Sequence, residues 1–133
     1  MKSSMKRFQQ RRGQYNKVLS LLSAQSGRSD FEPLEVAGVV QIFAITFELA
    51  WKMLKDLLEA KDGVIAPSPR SAIKEAFVVG YIDEGHPWMD MLDARNEIAH
   101  VYDEERINEL MGEILNNYLK PLAKLGGEMQ CMD

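Results

Sequence analysis

The sequence holds a single cysteine, Cys131, so no disulfide can close within it and no Cys-based metal site can be assembled. That usage fits a reducing compartment, and a cytoplasmic location is the expectation. Acidic residues are missing altogether from residues 1–29, which carry seven basic side chains: Lys2, Lys6, Arg7, Arg11, Arg12, Lys17 and Arg28. The net charge of −4 hides this, because the rest of the chain sets nine basic against twenty acidic residues. An uninterrupted apolar run is lacking too. The longest, "VAGVVQIFAITFELAW", is broken by Gln41, Thr46 and Glu48, which counts against a membrane span. No segment sustains the alternation of a half-buried strand, and no internal repeat or low-complexity tract occurs.

What remains is helical. A length of 133 residues suits one domain, 1–133, built on one core, and 46% apolar with 27% charged residues is a soluble globular composition. The basic start is compatible with a targeting peptide. Phe8, Tyr15 and Leu22 nevertheless recur every seven residues, with Val18 and Leu19 filling the stripe, which favours a first structural helix. Its basic face either meets phosphates or offsets the acidic body.

A second helix opens at Pro33, a first-turn position, and closes on Gly63 as its C-cap. Val36, Val40, Phe43, Phe47, Ala50, Leu54 and Leu57 step by four and three along a bundle seam, with Val39, Ile42, Leu49 and Met53 beside it. A helix apolar over that much of its circumference must bury two faces. One serves the core; the other needs a partner helix, a second subunit or another protein. The third helix has Ser68 as cap, Pro69 in its first turn and Gly80 at its end, with Ile73, Ala76 and Phe77 expected inside. A fourth runs from about Pro87 through Ala99, burying Trp88, Met91 and Leu92. The fifth starts at the cap Asp103, followed by Glu104 and Glu105, and continues through Ile107, Leu110, Met111, Ile114, Leu115, Tyr118 and Leu122. The expected fold is an all-α bundle.

The stretch "RNEIAHVY" at the end of the fourth helix carries the chemistry. Trp88, Leu92, Arg95 and Ala99 share one stripe; Met89, Asp93, Asn96 and His100 share the next. A guanidinium among apolar neighbours needs a partner, so Arg95 either pairs with a carboxylate of another helix or serves a ligand. His100 can bond a free carbonyl at the helix end, and Tyr102 can staple onto Ile107. Taken together the three suit metal-independent RNA cleavage. Imidazole handles the proton of the 2′-hydroxyl, and a fixed arginine stabilises charge on the phosphoryl oxygens. Along one ideal helix Arg95 and His100 diverge by about 140° over roughly 7.5 Å of rise. They converge only if the helix loosens near Ala99 or if two copies meet across a dimer.

Arg95-x4-His100-x-Tyr102 resembles the Arg-x4-His-x-Tyr signature of HEPN-domain proteins (higher eukaryote and prokaryote nucleotide-binding). "FELAWKMLKDLLEA", "SPRSAIKEAF" and "WMDMLDARNEIAHVYDEE" resemble, in the same order, the nucleotidyltransferase substrate-binding proteins of that superfamily, and the resemblance covers most of residues 8–122. It implies an antiparallel up-and-down bundle of four or five helices, similar to the C-terminal domain of aminoglycoside nucleotidyltransferases. It also implies homodimers and pairing with a separately encoded minimal nucleotidyltransferase, as two halves of a toxin–antitoxin pair. In related HepT-like toxin subunits the counterparts of Arg95 and His100 cleave RNA, and the counterpart of Tyr102 is nucleotidylated by the partner, which silences the nuclease. On this basis Arg95 and His100 are the candidate catalytic pair and Asn96 a supporting residue. Tyr102 is the modification site, Asp93 and Trp88 are binding residues, and no metal or other cofactor is expected. The chain departs from the family pattern at Ile42, where a charged residue is usual, and at Ala44, where a glutamate is usual. Both changes favour hydrophobic contact on that face. No Gly-Ser turn occurs, and Asp90 and Asp93 fall one helical turn apart, so nucleotidyl transfer is not chemistry this chain performs by itself.

Overall fold

Helix α1 (Lys2–Ser23) runs alongside α2 (Pro33–Leu57), which a π-helical turn extends through Leu58–Asp62. Then come α3 (Pro69–Val79), α4 (Gly85–Ile98) and α5 (Glu104–Glu113); a second π-helical turn, Ile114–Tyr118, carries α5 without a break into α6 (Leu119–Met129). This computed structural model describes residues 2–132, and the side chain of Lys2 lies outside that description. Among the described residues there is no strand. The expected all-α bundle is observed, with α5 and α6 forming the fifth helical rod.

Local chemistry sets the helix ends. The Glu35 carboxylate accepts from the Glu32 amide at 2.9 Å, ahead of Pro33, whose missing N–H falls where no intrahelical acceptor exists. Gly63 takes φ 66° and Gly80 φ 91°, the left-handed conformation that stops a helix at least cost on glycine. The Ser68 hydroxyl accepts from the Ser71 amide at 3.2 Å, and the Ser71 hydroxyl in turn accepts from the Ser68 amide at 3.1 Å. Helix α4 begins two residues earlier than expected. Pro87 is compatible with that start because the first-turn amides need no helical acceptor.

All seven seam residues of α2 are buried, and Phe8, Tyr15 and Leu22 of α1 are buried with them. The Tyr15 hydroxyl donates to the Leu122 carbonyl at 2.6 Å, which pins α1 to α6, and burial drives its pKa far above the ordinary phenol value. In the second stripe of α2, Val39 and Met53 are buried while Ile42 and Leu49 are half-buried. The second face of α2 thus finds its partner helix in α1 of the same chain, and its apolarity alone does not demand a second subunit.

By length and a mean hydropathy of 1.5, Pro33–Asp62 is apolar enough to cross a membrane, so Gln41, Thr46 and Glu48 do not exclude that on composition as expected. Its seam instead lines the bundle core, and Asp56, 1% exposed, receives the Nε of Arg11 at 2.7 Å and of Arg7 at 3.4 Å. Arg7 also reaches Glu59 at 3.0 Å, and Arg12 donates to the carbonyls of Met129 and Met132 at 3.0 and 2.7 Å. These arginines of the basic N-terminal face are therefore spent on contacts inside the chain. Phe77, expected inside, is 50% exposed. Helix α3 packs through Ala72, Ile73 and Ala76, and Phe77 lies 100° further round, beside exposed Val78 and Val79.

Candidate functional site at the junction of α4 and α5

Helix α4 packs on α2 through Trp88, Met91, Leu92 and Ile98, all buried, with the Trp88 ring 6.2 Å from that of Phe47. Arg95 belongs to this inward side, in the last turn. One Nη donates to Glu48 of α2 in a short charged bond; the other donates to the Asn96 side chain at 3.1 Å. Glu48 also faces Lys52 at 3.6 Å. The Arg95 and Glu48 side chains are 29% and 31% exposed, so the pair lies at the water boundary rather than sealed inside. Two of the five guanidinium donors are engaged in these bonds.

The helix ends at Ile98, with Ala99 as its cap residue. His100 therefore lies beyond the helical rod, and its backbone amide still reaches back to the Glu97 carbonyl at 2.9 Å. Among the described residues the exposed imidazole makes no hydrogen bond or ion pair. Among the described residues no carbonyl bond holds it at the helix end, and no hydrogen bond joins it to Arg95. Tyr102 is 91% exposed, so the expected staple onto Ile107 does not form. Asp103 then caps α5, accepting from the Glu105 amide at 3.3 Å. The structure thus joins Arg95 with Asn96, leaves His100 and Tyr102 on an open loop beside them, and puts Asp93 in solvent and Trp88 in the core.

Three side chains escaped the sequence reading. Glu48 looked like a mere interruption of an apolar run. Glu97 and Arg106 were not singled out at all, yet Arg106 grips both carboxylate oxygens of Glu97, at 2.6 and 2.8 Å, across the loop that carries His100 and Tyr102. Arg106 further reaches Glu113 at 2.9 Å and Glu109 at 3.3 Å. The bond from Arg106 holds the Glu97 carboxyl below the usual carboxylate range, while the facing carboxylates hold the Arg106 pKa well above its ordinary value. The i, i+3 and i+7 spacing of Arg106, Glu109 and Glu113 was the available signal for a shared helix face. Around the loop, Asp93, Asp103, Glu104 and Glu105 are all exposed, so the nearby surface is acidic.

The family model described as nucleotidyltransferase substrate binding protein like matches residues 3–131. The chain belongs to that family. The chain is also 30% identical over 83 residues to a Haemophilus influenzae protein named probable ribonuclease HepT. That alignment spans 59% of this chain and 57% of the relative, a little over half its length. A crystal structure of a Thermus thermophilus protein superposes with a TM-score of 0.78 at 28% identity, covering 87% of this chain and 98% of the other. The helical bundle of the substrate-binding family is therefore the frame that carries the α4–α5 junction.

Proposed function

We propose that this chain is the helical partner subunit of a separately encoded minimal nucleotidyltransferase, in a toxin–antitoxin pair, and that Tyr102 is the group it presents to that enzyme. The observation that carries the reading is the exposure of Tyr102. Its phenol is 91% exposed, on a loop anchored at both ends by helices. A protein acceptor must place its nucleophile inside another enzyme's active site, and a phenol stapled to its own bundle could not get there. In the transfer, the Tyr102 oxygen attacks the α-phosphorus of ATP. The new oxygen–phosphorus bond replaces the bond to the β-phosphate, pyrophosphate leaves, and the phenolic proton passes to a base or to water. Family membership supports the choice of partner.

The test is mass spectrometry after incubation with the nucleotidyltransferase, Mg²⁺ and ATP. One added nucleotide on Tyr102, absent from Tyr102→Phe, is the expected result. An unmodified tyrosine in a complex that does form overturns the reading.

A second reading is a metal-independent ribonuclease acting through Arg95 and His100, with Asn96 in support. It is favoured by the open imidazole beside an arginine that keeps donors to spare, and by the name of the Haemophilus relative. His100 would take the 2′-hydroxyl proton as that oxygen attacks the adjacent phosphorus, and Arg95 would steady the phosphoryl oxygens. Helix α4 ends at Ile98, which is the loosening near Ala99 that could let His100 turn toward Arg95, and a second copy of the chain is the other route to one shared phosphate. RNA cleavage in excess EDTA that disappears in His100→Ala supports this role; equal cleavage by both proteins removes it. The partner-subunit reading ranks first because Tyr102 is ready as it stands, whereas Arg95 is already engaged by Glu48.

A further inference from the structure

The α4–α5 loop offers little backbone bonding to hold it. Between the end of α4 and the start of α5, the His100 amide bonds back to Glu97, and the Asp103 side chain caps forward to Glu105. Neither bond crosses the loop. Among the described residues, the side-chain hydrogen bonds that do cross it are the two from Arg106 to Glu97.

The location of Arg106 is itself informative. It is the third residue of α5, in the first turn, where the helix dipole disfavours a cation. It is nevertheless surrounded by three carboxylates drawn from two helices, Glu97 on α4 and Glu109 and Glu113 on α5. The Glu97 contact is a parallel two-pronged bond, the geometry that fixes orientation as well as distance. With the Arg106 and Glu97 side chains 30% and 38% exposed, water weakens the pair without removing it.

We infer that Arg106 is a positioning residue for the site. By clamping Glu97, it fixes the exit of α4 against the start of α5 and sets where His100 and Tyr102 project. Its two bonds to α5's own carboxylates hold the guanidinium plane, so the fork stays aimed at Glu97 rather than sweeping through solvent. The inference deepens the reading of Tyr102 as the presented group, and rests on it for its functional half.

The experiment uses the full chain as wild type, Glu97→Gln, Arg106→Ala and Arg106→Lys. Amide hydrogen exchange is read at the hydrogen-bonded amides flanking the loop, those of His100, Glu105 and Ile107, beside thermal unfolding and the rate of nucleotide transfer to Tyr102 by the nucleotidyltransferase. Both Glu97→Gln and Arg106→Ala are expected to speed loop exchange by about tenfold, the size of a lost charged hydrogen bond at a partly exposed site. Their combination should be no faster than Arg106→Ala alone, because that variant already removes the bonds to Glu97 along with those to Glu109 and Glu113. Arg106→Lys keeps the charge but loses the fork, and should recover only part of the protection. The transfer rate at saturating partner should fall in step with loop exchange, while the partner concentration giving half the maximal rate stays the same. A merely structural role would not produce that split.

Glu97→Gln leaves the bonds within α5 intact, so it carries the test if Arg106→Ala does not fold. Loop exchange unchanged in a folded Glu97→Gln overturns the clamp, whatever happens to transfer. Faster exchange with an unchanged transfer rate overturns the positioning role. Faster exchange in a system where wild-type Tyr102 is never modified leaves the clamp standing and removes the acceptor reading instead.

Discussion

Replacing Glu48 with glutamine separates the two uses of Arg95. The substitution keeps an acceptor of nearly the same shape and deletes only the charge. The side chains of the pair are 29% and 31% exposed, and Arg95 retains its bond to Asn96. A sealed ion pair broken this way would cost about 3–5 kcal/mol, but solvent at this boundary brings the expected loss down to about 1 kcal/mol. In a chain of this size that lowers the melting temperature by about 4 °C. Arg95→Ala should cost a similar amount of stability, since it removes the same contact and leaves Glu48 facing Lys52. The two variants part company in function. If Arg95 serves phosphate, Glu48→Gln releases a guanidinium from its internal competitor, and RNA cleavage in EDTA holds or rises. Arg95→Ala removes the stabilising donor, and cleavage falls by about a hundredfold. Thermal unfolding and cleavage of a labelled RNA, read on the same preparations, decide it. Equal loss of stability with no difference in cleavage would make Arg95 an internal tie alone. A melting temperature unmoved by Glu48→Gln would refute the energetic reasoning itself.

Tyr102→Phe should alter stability by less than about 0.5 kcal/mol, because a side chain 91% exposed has almost no packing to lose; a clear loss by denaturant unfolding would mean the phenol is held. Arg7→Ala combined with Arg11→Ala leaves the carboxylate of Asp56, 1% exposed, without its two cations, and should cost about 3 kcal/mol in urea unfolding. Less than about 1 kcal/mol would show that water reaches Asp56. The depressed pKa of Glu97 means its clamp is fully present above the ordinary glutamate value of about 4.3 and is lost as pH falls through the lower folded value. Loop exchange, corrected for its intrinsic pH dependence, should therefore be flat from about pH 7 to 5 and faster below about 4; a rise already at about pH 6 would implicate another group. RNA binding by the chain alone should weaken only slightly with salt, with a log–log slope of about 2 or less in magnitude. A slope of about 5 or more would reveal a basic surface absent from the arrangement described above.

The elements that sequence made legible are those whose period is long and whose burial is one-sided. Phe8, Tyr15 and Leu22 on α1 and the α2 seam are repeated often enough that no single contact has to be guessed, and all are buried. Short helices are harder. Helix α3 has 11 residues and commits barely one face, so a misjudgement of one position moved Phe77 from the core to the surface. The π-helical turn at Ile114–Tyr118 was invisible because its residues continue an ordinary apolar pattern; a bulge of that kind is set by the packing around it. At the site, the local features were readable: a cap at Asp103, a helix ending near Ala99, and an arginine on an apolar stripe that needed a partner. The identity of that partner was not. Glu48 and Arg95 are 47 residues apart, and only the packing of α4 on α2 makes them neighbours. The grip of Arg106 on Glu97 was hidden for the same reason, although the two are just nine apart, because it depends on the chain turning a corner between them.

Charge ties these observations to the ranking of functions. The residues following Tyr102 are Asp103, Glu104 and Glu105, placed where they stabilise the N-terminal end of α5. That local service has a long-range consequence, since three carboxylates beside an open loop repel a polyanion. Cations near the loop do not compensate, because Arg95 and Arg106 are each held by carboxylates of this chain. The arginines of α1 are committed in the same way, to Asp56, Glu59 and the backbone carbonyls near the C-terminus. An RNA strand approaching a lone chain would find the imidazole of His100 in the open but little positive potential to bring it there. A protein surface with cations of its own meets no such obstacle, and acidic residues around Tyr102 would help to orient it. The same charges that disfavour an unaided nuclease therefore count towards the docking reading, and a nuclease built on Arg95 and His100 would need a positive field supplied from outside this chain.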